Sequence, residues 1–248
     1  MSWASRPQRC SLRVTVTMAE VLQATNLSLS YGSQPILREI SLGFSRSEAV
    51  AITGPSGSGK TTLLYALSGL ERDVQGSVTM LGKKLETLSV DQAAELRLRN
   101  VGFVFQSADL VPELTLRQNI ALPLLLAGVS RSAAGQRVEE LLEMLGLVES
   151  ADRRPNRVSG GQAQRCAVAR AVVARPSVVF ADEPTGALDQ TNRDVVLDLL
   201  LEQVRMIDGL LVTVTHDADV AAQFDRTIAL ADGRVVSENT SVFVANQH

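Results

Sequence analysis

The sequence predicts an α/β fold with a parallel β-sheet at its core, a small antiparallel β subdomain beside that sheet, and a helical subdomain inserted into the chain. Residues 49–52 and 178–181 are short apolar runs, which is the pattern of strands buried on both faces of a parallel sheet. Residues 21–31 and 36–44 alternate loosely between apolar and polar side chains, as antiparallel strands with one solvated face do. Residues from 107 to about 167 have helical character and form the predicted insertion.

The N-terminal half contains the antiparallel strands and the first parallel ones. A turn at residues 32–33 joins the first two antiparallel strands, and residues 76–81, followed by a turn at 82–83, predict a third. A helical run at residues 61–67 follows the first parallel strand, and residues 101–105 have the pattern of a buried strand.

The C-terminal half supplies the remaining helices and strands. Apolar residues spaced by three and four predict a helix at residues 133–145, within the insertion. Beyond the insertion we expect helices at 162–174 and 191–206, and strands at 178–181, 210–215 and 227–230.

The composition is that of an ordinary globular domain. Of the 248 residues, 45% are hydrophobic and 21% are charged, so the chain can bury a sizeable core. A formal net charge of −3 argues against a strong nucleic-acid footprint. Cys10 and Cys166 provide no disulfide framework and suit a reducing compartment. Since no apolar run reaches the roughly 18 residues of a membrane span, we expect any membrane role to come through a partner.

Residues 54–61 read GPSGSGKT and match the P-loop pattern GxxxxGK[ST] in the strand–loop–helix context that this pattern requires. Its glycines permit a tight turn that directs successive N–H groups at a polyphosphate, and the following helix adds the positive end of its dipole. We expect Lys60 to reach the β- and γ-phosphates and the Thr61 hydroxyl to bind Mg²⁺. The motif alone leaves open a Gly/Ser-rich turn without a nucleotide. The predicted ATP contacts of this loop are Gly54, Pro55, Ser56, Gly57, Ser58, Gly59, Lys60, Thr61 and Thr62.

Asp182 and Glu183 end the apolar run at residues 178–181. In P-loop NTPases a carboxylate at the end of such a strand binds Mg²⁺, which is the role we predict for Asp182. Glu183 follows where a general base could accept a proton from the attacking water, a role that typically contributes about 10²–10⁴-fold in rate. A charged pair that merely ends the strand is the alternative. With the P-loop, these carboxylates predict a P-loop NTPase with a RecA-like parallel sheet.

We expect a single nucleotide-binding domain at residues 19–240, with its helical insertion at about 107–167. Residues 1–18 contain three arginines and no acid, and they lack the apolar segment of a signal peptide. A disordered N-terminal extension is the expected state of this segment, and Met18 is an alternative start. Residues 241–248 are expected to form a tail.

Residues 158–165 read VSGGQAQR and resemble the signature motif (LSGGQ) of ATP-binding-cassette (ABC) ATPases. A serine and two glycines at the start of a helix offer a hydroxyl, close backbone approach and a dipole end to a phosphate. Because the chain already has a P-loop, a second such helix end makes sense if it serves the ATP of another subunit. In isolation, Ser159 would equally fit an ordinary N-cap. The motif adds Ser159, Gly160, Gly161 and Gln162 to the predicted ATP contacts.

The resemblance extends over about residues 20–238 and implies roles for four further side chains. Tyr31 lies where the family has an aromatic that stacks on adenine, which is worth about 1–3 kcal/mol per base. Gln106 matches the Q-loop glutamine, which connects Mg²⁺ and water to the insertion. Asp189 resembles the D-loop residue that crosses to the other subunit, and His216 the switch histidine that contacts the γ-phosphate. Without the order of motifs that the family shows along its chain, Tyr31 could be a packing residue and His216 a structural one.

Together these residues define two predicted sets. The predicted catalytic residues are Glu183, His216, Gln106 and Lys60. The predicted Mg²⁺ ligands are Thr61, Gln106 and Asp182, and Tyr31 and Asp189 join the ATP contacts.

Two stretches resemble the macrolide- and lipoprotein-exporting branch of the family, whose ATPases work with permeases that have large extracytoplasmic domains. They are FVFQ at 103–106 followed by LVPELT at 110–115 and NIALP at 119–123, and ADEPTGALD at 181–189. Val158, Ala163 and Gln118 depart from the usual family residues at positions that do not touch the phosphates.

The expected function is that of the ATP-hydrolysing subunit of an ABC transporter, with ATP and Mg²⁺ as cofactors. Two copies would form a homodimer around two ATP molecules at the cytoplasmic face of the membrane and drive a separate integral membrane permease that exports lipoprotein, peptide or drug-like cargo. The alternative is a regulatory ATPase that signals through a membrane partner without transport. A DNA-repair or translation ATPase would typically carry coiled coils, zinc inserts or tandem cassettes, which the sequence lacks, so no nucleic-acid partner is expected.

The sequence also predicts a docking surface for the permease. Leu110, Val111 and Leu114 follow Gln106 closely, and we expect them to line a groove between the insertion and the core. The alternative is that they pack inside the insertion's own core, as apolar residues generally do.

Overall fold

Residues 20–240, the part of the chain that this computed structural model describes, form ten β-strands in two sheets. An antiparallel sheet and a second, mainly parallel sheet are present, as the sequence predicts. The predicted extension at residues 1–18 and the tail at 241–248 lie outside the described residues. The strands are β1 (Glu20–Tyr31), β2 (Gln34–Ser45), β3 (Ala49–Thr53), β4 (Gln75–Met80), β5 (Lys83–Lys84), β6 (Val101–Val104), β7 (Val178–Asp182), β8 (Leu210–Val214), β9 (Arg226–Ala231) and β10 (Arg234–Thr240).

The same residues form seven α-helices: α1 (Lys60–Ser68), α2 (Val90–Asn100), α3 (Leu116–Leu126), α4 (Arg131–Met144), α5 (Gly160–Val172), α6 (Gln190–Met206) and α7 (Ala218–Ala221). Side chains cap the N-termini of six of them, because Ser, Thr or Asp precedes the first turn. Gly59 precedes α1, and this helix has no side-chain cap. Within residues 20–240, none of the helices has both the length and the hydrophobicity that a bilayer crossing requires.

Strand order is β2-β1-β4-β5 in the antiparallel sheet and β10-β9-β3-β8-β7-β6 in the larger one. In the larger sheet only the β9–β10 pair is antiparallel. Alternate residues of each central strand enter different cores. Val178 and Phe180 of β7 pack with the antiparallel sheet and α1, whereas Val179 and Ala181 pack with α3, α5 and α6. Burial on both faces is why these strands are continuous apolar runs.

Register brings the carboxyl ends of the parallel strands together. Val214 of β8 pairs with both Ile52 of β3 and Asp182 of β7, and Val104 of β6 pairs with Ala181. The segments that follow these four strands therefore emerge at one edge of the sheet, where open α/β sheets bind their ligands.

Five described elements, α2, α3, α7, β5 and β10, have no separately predicted counterpart in the sequence analysis. α2 buries only Ala93 and Leu96, so little of this helix belongs to the core. β10 is almost wholly exposed and lacks alternation. α3 contains Pro123 in its interior, a residue that usually ends a helix because it removes one N–H donor.

Candidate active site

The P-loop, residues 54–61, takes a conformation that depends on glycine at two positions. Gly54 has φ +144°, and a Cβ there would lie 2.0 Å from the Leu230 carbonyl oxygen of β9. Gly59 has φ +96° and precedes α1, where a Cβ would lie 3.0 Å from the Ile36 carbonyl oxygen. The loop is thus packed against two neighbouring strands, and larger residues would displace it.

Positive charge is concentrated where this loop meets α1. Lys60 is only 8% exposed, and its ammonium donates hydrogen bonds to the carbonyl oxygens of Gly54 (3.0 Å) and Pro55 (2.9 Å). Because no side chain caps α1, its first N–H groups add the positive end of the helix dipole to the same place. An anion is the ligand that such a site favours.

A cavity of about 650 Å³ opens over the loop. Its size is in the range of ligand pockets. It is lined by Gly54, Pro55, Ser56, Lys60, Glu183 and His216, so three of the four segments at the sheet edge contribute to it.

Thr61 and Asp182 provide oxygen ligands beside this cavity. The Thr61 hydroxyl donates a hydrogen bond of 3.1 Å to Asp182 Oδ1. Burial raises the pKa of Asp182; hydrogen bonding by the Thr61 hydroxyl lowers it, the Glu183 charge raises it, and hydrogen bonding by Tyr65 lowers it. A nearby cation would stabilise this carboxylate in its charged form.

The residues present fit Mg²⁺, which usually binds one or two carboxylates together with substrate phosphates and water. Thr61 offers a hydroxyl and Asp182 offers one carboxylate. Among the described residues, no group of three or more His, Cys, Asp or Glu side chains could hold a metal ion by itself.

Glu183 and His216 form a hydrogen-bonded pair at the edge of the cavity. Glu183 Oε1 lies 2.8 Å from His216 Nδ1. The Glu183 backbone has φ +45°, a left-handed conformation that costs a non-glycine residue about 1–3 kcal/mol. The Glu183 N–H donates a hydrogen bond to the carbonyl oxygen of Val214, the last residue of β8 (3.0 Å). This bond holds Glu183 in its left-handed conformation.

Gln106 lies beside the same carboxylate. A Cβ on Gly186 would be 3.1 Å from Gln106 Nε2 and 3.2 Å from Glu183 Oε2. Glycine at position 186 therefore lets both side chains approach the same point. The structure brings Gln106, Lys60, Thr61, Asp182, Glu183 and His216 to one edge of the sheet.

The signature residues and Asp189 form a second surface. The Ser159 hydroxyl accepts a hydrogen bond from the Gln162 N–H (3.2 Å), so its own hydrogen can still be donated elsewhere. A Cβ on Gly161 would lie 2.3 Å from Asn192 Oδ1, and Asn192 Nδ2 donates to Asp189 (2.7 Å). Glycine at 161 thus permits contact with the start of α6. Within residues 20–240, none of these side chains lines the cavity over the P-loop.

Tyr31 ends β1 and is 56% exposed. Its hydroxyl donates a hydrogen bond of 2.9 Å to Glu71, which raises the pKa of Tyr31, whereas the nearby Thr62 side chain lowers that pKa. The ring therefore stands close to the first turn of α1. No packing partner covers it among the described residues of the core clusters.

An ion pair next to His216 is not predictable from the sequence. Arg193 of α6 forms an ion pair with Asp217, the residue after His216, and so connects the Asp189 segment to the histidine. A separation of 24 positions gives no sequence signal for such a pair. The nearness of Tyr65 to Asp182 could have been predicted. Tyr65 lies four residues after Thr61 on α1, a spacing that places both side chains on one face of the helix.

Comparison with known proteins agrees with these observations. A family model described as ABC transporter matches residues 37–186. A lipoprotein-releasing system ATP-binding protein, LolD, of Aquifex aeolicus is 42% identical over 225 residues, which cover 91% of this chain and 100% of the relative. The bacitracin export ATP-binding protein BceA of Halalkalibacterium halodurans is 38% identical and covers 88% of each chain.

Solved structures of the same kind match the fold. One is described as a dimeric structure of a post-hydrolysis state of the ATP-binding cassette MJ0796 bound to ADP and Pi. It superimposes with a TM-score of 0.80 at 35% identity and covers 88% of this chain and 98% of the other. These matches confirm the predicted α/β P-loop fold and the predicted resemblance to ABC ATPases.

Proposed function

This chain belongs to the ABC transporter family as an ATP-binding, ATP-hydrolysing subunit, and we propose that it holds MgATP between the P-loop surface of one copy and the signature surface of a second. The observation that carries this proposal is that the two proposed phosphate-binding helix ends lie apart. Lys60, the first residue of α1, lines the cavity over the P-loop. Ser159, which precedes α5, is not part of that lining. A second copy would complete the site, as a homodimer with two identical ATP sites.

Thr61 and Asp182, with Gln106, are the proposed ligands of Mg²⁺. When bound, the ion would neutralise phosphate charge and so favour phosphoryl transfer. Lys60 and the N–H groups at the start of α1 would bind the phosphates. Ser159 of the second copy would donate its hydroxyl hydrogen to the γ-phosphate of the ATP bound by the first copy, while its oxygen still caps α5.

Glu183 is the proposed general base. Since Oε1 is hydrogen-bonded to His216, the Oε2 atom is the one that would accept a proton from the attacking water. His216 would orient the carboxylate and contact the γ-phosphate. Gln106, beside Oε2, would hold the same water in place.

The proposed partner is an integral membrane permease with a large extracytoplasmic domain, and the proposed location is the cytoplasmic face of the membrane. The relatives described as a lipoprotein-releasing and a bacitracin export ATP-binding protein support export of a lipoprotein or peptide cargo. They also support the branch that the stretches at residues 103–123 and 181–189 predict.

A groove between the core and the insertion is the proposed docking site of the permease. It has a volume of about 260 Å³. Its lining comprises Leu98, Val101, Gly102, Phe103, Phe105, Asp109, Pro123, Arg170, Ala171 and Ala174. Leu110, Val111 and Leu114 are not among these lining residues, and Leu110 packs against the core cluster. Val111 and Leu114 are also partly buried.

Asn119 shapes the segment next to this groove. It is fully buried, and its amide hydrogen-bonds the N–H and carbonyl of Val111 and the carbonyls of Leu114 and Thr115. Four polar backbone groups are thereby satisfied away from water, which fixes the turn that faces the partner. The insertion and the groove would move as one rigid body when the ATP sites open and close.

Leu98→Glu is expected to abolish co-purification with the permease while the isolated subunit keeps its ATPase rate. A carboxylate in an apolar groove would have to be desolvated on docking, which is strongly unfavourable. The measurement is co-purification with a co-expressed membrane permease of the proposed class, together with ATPase rate and Tm. Leu126→Glu is the matched control, because Leu126 is 65% exposed and is not part of the groove lining. A complex that survives Leu98→Glu and transports at the unmodified rate would show that docking occurs elsewhere.

A further inference from the structure

Tyr31 stands at an exposed position where its backbone alone does not fix its ring. It is the last residue of β1 and pairs with Gln34 across a two-residue turn. With 56% of the residue exposed, the side chain is free to change rotamer unless another group holds it.

Glu71 supplies that group from a neighbouring segment. It follows the C-terminal end of α1 by three residues, and its N–H donates to the Tyr65 carbonyl oxygen (3.1 Å). Its carboxylate is itself oriented, because Oε1 accepts a hydrogen bond from the Asp73 N–H (3.1 Å). The other oxygen, Oε2, accepts the Tyr31 hydroxyl (2.9 Å).

The hydrogen bond engages the edge of the ring and leaves its faces free. A tyrosine hydroxyl lies in the ring plane, whereas stacking on a base uses a face. Both interactions can therefore exist at once.

We propose that Glu71 is a positioning residue for the adenine base, because its carboxylate holds the Tyr31 ring in its stacking orientation at a fixed place relative to the P-loop. α1 begins at the proposed phosphate site and ends just before Glu71, a distance of about 14 Å for nine residues at about 1.5 Å each. The helix thereby connects the surface for the base to the surface for the phosphates. The inference rests on the adenine-stacking role that the family resemblance implies for Tyr31.

The test compares dissociation constants for ATP and for inorganic tripolyphosphate, which has no base. Glu71→Ala is expected to weaken ATP binding by about 3- to 10-fold, the range of one hydrogen bond, and to leave tripolyphosphate binding unchanged. KM for ATP rises by the same factor, and kcat at saturating ATP does not change. Glu71→Gln retains an acceptor oxygen and is expected to restore near-normal ATP affinity.

Tyr31→Phe supplies an independent arm that does not alter Glu71. It keeps the ring and loses the hydroxyl, so it is expected to reproduce the effect of Glu71→Ala, and the double variant should be no weaker than either single one. Asp73→Asn is the matched control, since it removes a neighbouring negative charge and keeps the N–H that orients Glu71.

Tyr31→Ala separates the two ways in which the inference can fail. If Tyr31→Ala leaves ATP affinity unchanged, the adenine role of Tyr31 is wrong, and the inference is overturned with it. If Tyr31→Ala weakens ATP binding by about 10-fold or more while Glu71→Ala and Tyr31→Phe leave it unchanged or strengthen it, only the positioning role of Glu71 is overturned.

Discussion

Replacement of Glu183 by glutamine is expected to lower kcat by about 10²- to 10⁴-fold while ATP affinity stays close to that of the unmodified chain. The amide has nearly the shape of the carboxylate, and its oxygen can still accept a hydrogen bond from His216. It cannot accept a proton from water. The phosphate contacts of Lys60 and α1 are unchanged, so binding is retained.

Steady-state ATPase rates and ATP titrations measure both expected effects of Glu183→Gln. Glu202→Gln is the control, because Glu202 is an exposed carboxylate on α6 away from the cavity. A Glu183→Gln rate within threefold of the unmodified chain would contradict the role of Glu183 as the general base.

Lys60→Ala is expected to weaken ATP binding by about 100-fold or more. Lys60 is buried at the P-loop without a carboxylate partner among the described ion pairs, so its charge is available to the phosphates. A charge-assisted contact to phosphate in a buried site is among the strongest polar interactions, and alanine removes it. Hydrolysis is lost as a consequence of lost binding.

Equilibrium binding of a fluorescent ATP analogue tests the effect of Lys60→Ala, and Lys83→Ala serves as control because Lys83 is exposed on β5. Tm is measured for both variants to establish that the chain remains folded. An ATP dissociation constant within threefold of normal for a folded Lys60→Ala chain would contradict the assignment of the phosphate site.

Local patterns predict most of the fold and part of the candidate site. The buried strands are predictable because burial on both faces demands apolar runs, as at residues 178–181. The P-loop and the Asp182 carboxylate are predictable because their chemistry is contained in a few consecutive residues. Gln106 and His216 have no such local signal, and only the order of motifs in the family identifies them.

Contacts between distant segments account for what the sequence does not predict. Tyr31 and Glu71 are 40 positions apart, and Arg193 and Asp217 are 24 apart. Neither pair belongs to a periodic pattern, because its geometry depends on how β1 and α1, or α6 and the end of β8, pack in three dimensions. The partial burial of Leu110 has the same origin, since its packing against the core cluster depends on segments distant in the chain.

The central claim is that ATP is held between two copies of this chain, with Ser159 of one copy facing the P-loop of the other. Sedimentation velocity of Glu183→Gln, with and without MgATP, tests this directly because ATP is bound but not consumed. We predict a dimer with MgATP and a monomer without it. In the Glu183→Gln background, Ser159→Arg is predicted to remain a monomer that binds ATP.

Ser130→Arg in the same Glu183→Gln background is the matched control. Ser130 caps α4 as Ser159 caps α5, so each substitution loses a cap worth about 1 kcal/mol, but only Ser159 belongs to the signature surface. The account predicts that the Ser130→Arg variant still forms the ATP-dependent dimer. An ATP-dependent dimer of the Ser159→Arg variant, as stable as that of the control, would contradict the proposed composite site.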